Sequence, residues 1–448
     1  MTRLLFINFI RSKGLLWGLG FIFFAGLLGI NNGKQFLDKY QENITQTAHF
    51  QQESIDRNVK FHQKEIGLLL YYVKFGLVNE MPNLAALSIG QRDVNPAIQN
   101  VTIRFLEEQK YNTDLVNPLY LLLGNLDFSF ILIYFFPLII IAFCYSLISE
   151  EKEDGTWSLV LSQSENPHRI LHIKLFVRFL SVLVVLLILF FMAKFYLDIS
   201  LDLPFLTFIT VAISYIIFWF SLGWLVISFQ KTSSQNVIIL LLSWVMLTVV
   251  GPAISTAFIN YSLPVSEAFQ TVVDGRDGYH KKWDLPKLFS LQKFYKHYPQ
   301  FAKYKVPEGD FNWQSYYAMQ QMGDDESAIA SGKLQQKLRQ RETLSGTLGM
   351  LFPSIHTSLT MNDLSKSGLK NQLNFGDELV KFHERKRLYF YPKIFSESPV
   401  LSENWKTFTL EYYSEKIEVD WVKLLLPIIL ISALCLGFGE NKLKNLGY

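Results

Sequence analysis

The run LPFLTFITVAISYIIFWFSLGWLVISFQ, residues 203–230, contains no aspartate, glutamate, lysine or arginine. At about 1.5 Å per residue, a helix of this length crosses the roughly 30 Å hydrocarbon core of a bilayer. Five other windows are similarly poor in charge, and the two shortest are flanked by lysine or arginine, whose apolar stems lengthen the usable span. The sequence therefore predicts six transmembrane helices, at 14–33, 126–149, 175–194, 203–229, 235–258 and 421–439.

The overall composition points the same way. The 448 residues are 50% hydrophobic and 18% charged, whereas soluble chains carry about a quarter charged residues; a purely soluble enzyme is excluded. Most charges lie in two long segments, with 9 basic and 10 acidic residues in 34–125 and 21 basic and 20 acidic residues in 259–420. Because these charges nearly cancel, neither segment is expected to bind nucleic acid. Their many apolar and aromatic residues argue against disorder.

Basic residues in short segments predict the orientation, because they resist translocation. Residues 1–13 contain Arg3, Arg11 and Lys13 and no acid, so they are expected to stay in the cytoplasm, either as an amphipathic helix in the interface or as an extension of the first span. A signal peptide is disfavoured because no Ala-x-Ala site follows. The loop 150–174 and the tail 440–448 then also face the cytoplasm, and the two long segments form extracytoplasmic regions.

Local patterns refine this plan. Apolar positions at helical spacing predict a long helix over 34–75, and the prolines of 76–125 predict loops. Pro137 and the pair Gly251-Pro252 should bend their spans. The aromatic and lysine-rich stretch 261–313 is interpreted as the core of a subdomain, with a lipid-headgroup or partner surface as the alternative. Residues 314–346 are rich in helix formers and predict helices.

Catalytic motifs are missing from the sequence. There is no Gly-x-x-x-x-Gly-Lys-Ser/Thr loop, no His-Glu-x-x-His and no Gly-x-Ser-x-Gly. His168 and His172 stand four residues apart without nearby acids and are interpreted as surface or headgroup-facing side chains. Both cysteines, Cys144 and Cys435, fall inside predicted spans and are interpreted as apolar packing residues. We expect no catalytic residue, no bound metal and no cofactor in this chain.

An acidic segment follows the second span. It begins with Glu150, continues through Glu151-Lys152-Glu153-Asp154 to Gly155-Thr156 and Trp157, and is followed by Pro167, Arg169 and Lys174-Leu175. By itself such a segment is usually a solvated turn. This pattern resembles the cytoplasmic loop of ABC-2 type transporter permeases, in which the Glu-Lys/Arg-Glu-x-Gly-Thr stretch opens a coupling helix that docks on the ATPase subunit. The departures are Trp157 and Ser158, where the family tends to have Leu and an acid, and Ile173, where Gly is frequent.

The resemblance assigns the ATPase-coupling role residue by residue, and it implies that the carboxylates are offered to basic residues of the ATPase. The residues so assigned are Glu150, Glu151, Glu153, Gly155, Thr156, Trp157, Pro167 and Arg169.

A second resemblance concerns residues 338–395. They are similar to the insertion, of unassigned function, that a subgroup of these permeases carries between the fifth and sixth spans. Each matching residue also has a purely structural interpretation, in which the prolines end helices, the Asn-Asp pair caps one and the aromatic rings pack. The residues that carry this motif are Pro353, Asn362, Asp363, Phe382, His383, Pro392 and Phe395.

Together these observations predict a mainly α chain, with a six-helix permease bundle and a mostly helical outer domain. The resemblance implies a non-catalytic permease of an ATP-driven exporter in the bacterial inner membrane. It would work with a separate ABC ATPase that binds ATP and Mg²⁺, a second permease copy or paralogue, the lipid bilayer and, through its periplasmic domain, a further periplasmic partner. The alternative is a membrane-anchored receptor, or an assembly or maturation scaffold, that acts through the outer domain and needs no ATPase.

Overall fold

The computed structural model describes residues 13–110, 125–157, 167–265, 286–305, 309 and 311–444. Six of the helices within them are long and apolar enough to cross a membrane. The chain is mainly α with a six-helix bundle, which confirms the predicted fold class. Apart from Lys13, the predicted amphipathic helix at 1–13 lies outside the described residues, as do 266–285 from the aromatic stretch.

The elements follow one another along the chain in this order: α1 (Lys13–Phe61), α2 (Ile66–Tyr72), β1 (Phe75–Asn79), a 3₁₀ turn (Asn83–Leu87), β2 (Ile98–Val101), α3 (Leu106–Lys110), α4 (Phe128–Phe130, the π-helical turn Ile131–Phe135 and Phe136–Cys144), α5 (Ser149–Glu153), α6 (Pro167–Tyr196), α7 (Leu203–Ser228), α8 (Ser233–Val245, the π-helical turn Met246–Val250 and Gly251–Ser262), α9 (Lys287–His297), α10 (Trp313–Gly349), α11 (Pro353–Leu364), α12 (Leu369–Phe395), β3 (Glu411–Tyr413) and α13 (Trp421–Lys444).

The spanning helices are α1, α4, α6, α7, α8 and α13, and α7 is the most enclosed of them. Several of these helices are longer than the predicted spans. Helix α1 continues past residue 33 to Phe61, as expected from the helix predicted after the first span, and α6 begins at Pro167, so residues 167–174 of the predicted loop are helical. Polar residues at these helix ends interrupt the hydropathy pattern but not the backbone hydrogen bonding, which explains why the apolar windows are shorter than the helices.

Pro137 and Pro252 each follow a local change of helix geometry in their span. In each span a π-helical turn, Ile131–Phe135 or Met246–Val250, comes directly before the helical segment whose first turn holds the proline. Proline has no N–H and clashes with the carbonyl four residues back. The wider π turn relieves this clash and leaves carbonyl groups available to other partners.

The described parts of 34–110 and 286–420 form one body, which we call the lobe. A three-stranded sheet of order β2-β1-β3 joins its two sequence segments, because β1 pairs antiparallel with β2 and parallel with β3. Loops were predicted for this part of the first segment, and the strands were missed. Beside the sheet lies a core of aromatic rings that includes Phe294, Tyr298 and Phe301, which confirms the core interpretation for these rings.

Helix α11 connects the lobe with the bundle, and we call it the docked helix. It packs against α7, α13 and both π-helical turns, and Met361 and Leu364 are buried in the bundle's own apolar core. The hydroxyl of Ser354 donates to the Leu247 carbonyl inside the second π turn. The lobe therefore reaches into the membrane bundle at its distorted spans.

Three local predictions are wrong. The helix predicted over 34–75 is broken after Phe61, where residues 62–65 separate α1 from α2. Pro353 begins the docked helix instead of ending one, since the first turn of a helix needs no N–H from its first residue. Pro392 lies inside α12, three residues before its end.

Candidate functional site

The end of the bundle away from the lobe is built from the connections between spans, and we call it the loop end. It comprises residues 145–157, 167–175, 229–233 and 440–443. Six buried apolar side chains from the ends of four spans form a small cluster here, with Trp157 and Leu175 packed against it. Its buried members are Leu147, Ile148, Leu171, Trp224, Ile227 and Leu443. Because one cluster holds all these ends, displacing the loop strains several spans at once.

The acidic segment forms the short helix α5. Glu151 on α5 accepts a charge-assisted hydrogen bond from Lys174, with 2.5 Å between Oε1 and Nζ, and a second from the Thr156 hydroxyl at 2.5 Å. Such hydrogen bonds to ionised groups are stronger than neutral ones. Lys174 lies in the second turn of α6, so this pair joins the loop to the third span.

Glu153 makes the corresponding connection to the fifth span. Its carboxylate accepts hydrogen bonds from the backbone N–H of Ser233, at 2.8 Å, and from the Ser233 hydroxyl, at 2.9 Å. Ser233 is the first residue of α8, where a free N–H and the helix dipole both favour a carboxylate. Lys152, between the two acids, donates to Gln230 at the end of the fourth span.

The remaining predicted coupling residues divide into exposed and packed positions. Glu150, Gly155 and Thr156 are exposed, together with Asp154. Gly155 ends α5 with φ 70°, a backbone conformation that glycine adopts without strain. Trp157 packs on the loop-end cluster. Pro167 is the first residue of α6 and Arg169 is exposed in its first turn, while residues 158–166 lie outside the described part of the chain.

Two neighbouring residues of the predicted outer motif lie where the docked helix meets the rest of the lobe. Asn362 Oδ1 accepts a hydrogen bond from the Ser88 hydroxyl at 2.7 Å, which ties the helix to the first outer segment. Asp363 instead lines a polar cavity of about 350 Å³. Both residues stand in the last turn of the helix, so neither is an N-cap as the structural interpretation supposed.

The other outer residues pack inside the lobe. Phe382 and Phe395 belong to the aromatic core. His383 is buried and its Nε2 lies 2.9 Å from the Thr102 carbonyl. Burial and the nearby Arg387 charge hold the pKa of His383 well below its ordinary value, so the neutral ring donates this hydrogen bond.

Arg387 is the polar centre of the lobe, and no motif in the sequence singles it out. Its guanidinium is fully enclosed, pairs with Asp324 at 2.6 Å and donates to the carbonyls of Ile103 and Arg104. Asp324 in turn accepts from the backbone N–H of Leu106. Through these contacts the buried charge of Arg387 holds the first outer segment against α10 and α12, which is a structural role.

Two models of known protein families match this chain. The model of the family described as ABC-2 family transporter protein matches residues 6–306 of the 448-residue chain. The chain belongs to this family. A second model, described as a domain of unknown function (DUF3526), matches residues 266–410, while α13 lies beyond both matches. No curated protein and no solved structure matches the chain.

Membership of the ABC-2 family makes the chain a multi-pass membrane component of a transporter, and the family in general implies an ABC ATPase partner. At the loop end, Lys174, Gln230 and Ser233 contact three neighbouring residues of the acidic segment. These partners stand 23 to 80 positions away from the residues that they contact, so only the fold brings them together. A lysine directly before the predicted third span is the one signal that the sequence offered.

Within the described residues, no group of three or more histidine, cysteine, aspartate or glutamate side chains is arranged to hold a metal ion.

Proposed function

We propose that this ABC-2 family chain is the permease subunit of an ATP-driven exporter and that the loop end couples it to a separate ATPase. One observation carries the proposal: Glu151 and Glu153, on the same five-residue helix, hold the starts of two different spans. A displacement of α5 by a docked partner would therefore act on α6 and α8 together.

The contacts suggest separate sets of residues for docking the ATPase and for transmitting its motion. The sequence interpretation had all the carboxylates offered to the partner, whereas Glu151 and Glu153 are engaged within the chain. Glu150, Asp154 and Thr156 are exposed and form the proposed docking surface. The internally bonded pair transmits the motion, and the exposed acids recognise basic groups on the ATPase.

The rest of the proposal concerns the assembly and its orientation in the membrane. ATP and Mg²⁺ would bind in the ATPase, and two permeases, identical or similar, would form the membrane pathway. The lobe would lie in the periplasm and recruit or gate the substrate, while both termini would be cytoplasmic. The docked helix supports a gating role for the lobe, because it contacts the π-helical turns of two spans.

The test separates docking from coupling. Lys174→Gln removes the ion pair to Glu151 but leaves the exposed acids in place. We expect the variant to retain the ATPase on affinity purification and to lose several-fold of the permease-dependent change in ATP hydrolysis. Lys231→Gln, which removes an exposed lysine from the same end of the bundle, serves as the matched control and should behave like the wild type.

Equal ATP hydrolysis with the Lys174→Gln variant and the wild type would refute the transmission role. If no ATPase accompanied the wild-type chain, the receptor or scaffold alternative would gain instead.

A further inference from the structure

A second feature of the loop end faces the bilayer. Between α6, α7 and α13 lies an open groove of about 850 Å³. One face of α6 forms its wall, with His168, His172, Phe176 and Phe179 at positions i, i+4, i+8 and i+11, which a helix places in line. Polar rings therefore give way to phenyl rings as the helix enters the membrane.

The opposite wall shows the same gradient. On α13, Glu440 stands at the loop end and Leu436 lies one turn deeper, and Ile217 and Phe220 of α7 line the floor. Phe176 is 61% exposed although its surroundings are apolar, so its ring is open to whatever fills the groove. A site with a polar mouth at headgroup depth and an apolar floor matches an amphiphile aligned with the bilayer lipids.

Two features at the mouth favour an anion. Arg169 lines the groove from the first turn of α6, where the helix dipole also attracts negative charge. Among the described residues that line the groove, Glu440 is the one acid, and its Oε1 lies 3.1 Å from His172 Nε2. The same imidazole stacks on Trp224 with 4.7 Å between ring centroids, so Glu440 is engaged within the chain. A guanidinium is well suited to bind a phosphate group.

We propose that this groove is a binding site for an acidic phospholipid from the leaflet at the loop end. The phosphate binds at Arg169 and His168, and the acyl chains lie along Phe176, Phe179 and Ile217. Basic pockets between spanning helices are known to select anionic headgroups, each cation near the surface contributing about 1 kcal/mol. The lining residues Ile173 and Leu175 flank Lys174, the contact of α6 with α5. A bound lipid would therefore stabilise α6 next to this contact.

The experiment uses the full-length chain in nanodiscs of phosphatidylcholine with a minor fraction of phosphatidylglycerol, and native mass spectrometry measures which lipids stay bound. The wild type should retain phosphatidylglycerol in preference to phosphatidylcholine. Arg169→Gln should reduce that preference about fivefold, the equivalent of about 1 kcal/mol. Lys231→Gln removes the same charge from the same end outside the groove and should leave the preference unchanged.

Ile217→Trp probes the acyl part separately, because a larger side chain fills the floor without altering charge. It should reduce retention of both lipids. Three results would each overturn the proposal: no preference in the wild type, equal effects of the Arg169 and Lys231 variants, or undiminished retention with Ile217→Trp. The second would indicate a diffuse surface charge, and the third would place the lipid elsewhere or the groove under another segment of the chain.

Discussion

The side chain of Asp363 is largely enclosed by protein and faces an internal cavity. It lines the polar cavity between the docked helix, the end of α10 and the segment 415–424. Burial is the main cause that raises its pKa to about 6. Repulsion by Glu342 and Glu415 acts in the same direction, and attraction by Lys370 and Lys423 acts in the opposite one. Because a raised pKa means that the native state binds the proton more tightly, the folded chain loses stability as this group ionises.

The Asp363→Asn variant tests this shift. The neutral amide resembles the protonated acid, so both proteins should unfold at the same temperature below about pH 4. As pH rises through about 6, the wild type should fall below the variant. Thermal unfolding of the purified chains in one detergent, at several pH values, measures the difference between their unfolding temperatures. The effects of the other titrating groups cancel in this difference. A difference that stays constant with pH would show that Asp363 keeps its ordinary pKa.

At the scale of elements, the approach of α1 to the 3₁₀ turn Asn83–Leu87 fixes the lobe on the bundle. Gly33 makes it possible, because a Cβ there would lie 1.8 Å from the Ala86 carbonyl oxygen. A backbone oxygen cannot rotate away like a side chain. The glycine is thus required by a close contact and not by a turn, which the sequence alone does not reveal.

Gly33→Ala should therefore force α1 away from the turn and destabilise the chain by about 1–3 kcal/mol, the usual range for overpacking. Gly20→Ala is the matched control in the same helix, since a Cβ there meets nothing within 4 Å. Thermal unfolding of both variants in detergent measures the contrast. Equal unfolding temperatures for the two would contradict the packing described here.

The elements differ in how far the sequence predicts them. The spans follow from charge-free windows, because the bilayer imposes that pattern independently of neighbouring elements. The sheet cannot be predicted in this way, because its strands have only three to five residues and β3 is more than 300 positions from β1. The docked helix was not predicted as a separate element, because its twelve residues show no apolar face at helical spacing. It is nevertheless buried between the spans and the lobe.

The same reasoning applies to the candidate site. The acids of α5 were recognisable as a motif, and their exposure at the loop end follows from the span count. Their internal bonds to Lys174 and Ser233 depend on where α6 and α8 begin. The sequence therefore predicted where the acidic segment lies but not the contacts that Glu151 and Glu153 make within the chain.

At the scale of the whole molecule, the account requires the lobe and the loop end to face opposite compartments. Both native cysteines are buried, so introduced cysteines can report accessibility. A membrane-impermeant maleimide should label Ile329→Cys, at a position 71% exposed on the lobe, in cells whose outer membrane is permeabilised. Asp154→Cys should react only after the inner membrane is disrupted. The reverse pattern would invert the proposed orientation.

An ATPase that couples to this chain should dock on the exposed part of the acidic loop. Photo-cross-linking in cells tests it most directly, with a photoreactive amino acid at Asp154 and, as a control, at Ile329 on the lobe. Position 154 should capture a nucleotide-binding ATPase, and position 329 should not. Capture of no ATPase from position 154, or equal capture from both positions, would contradict it.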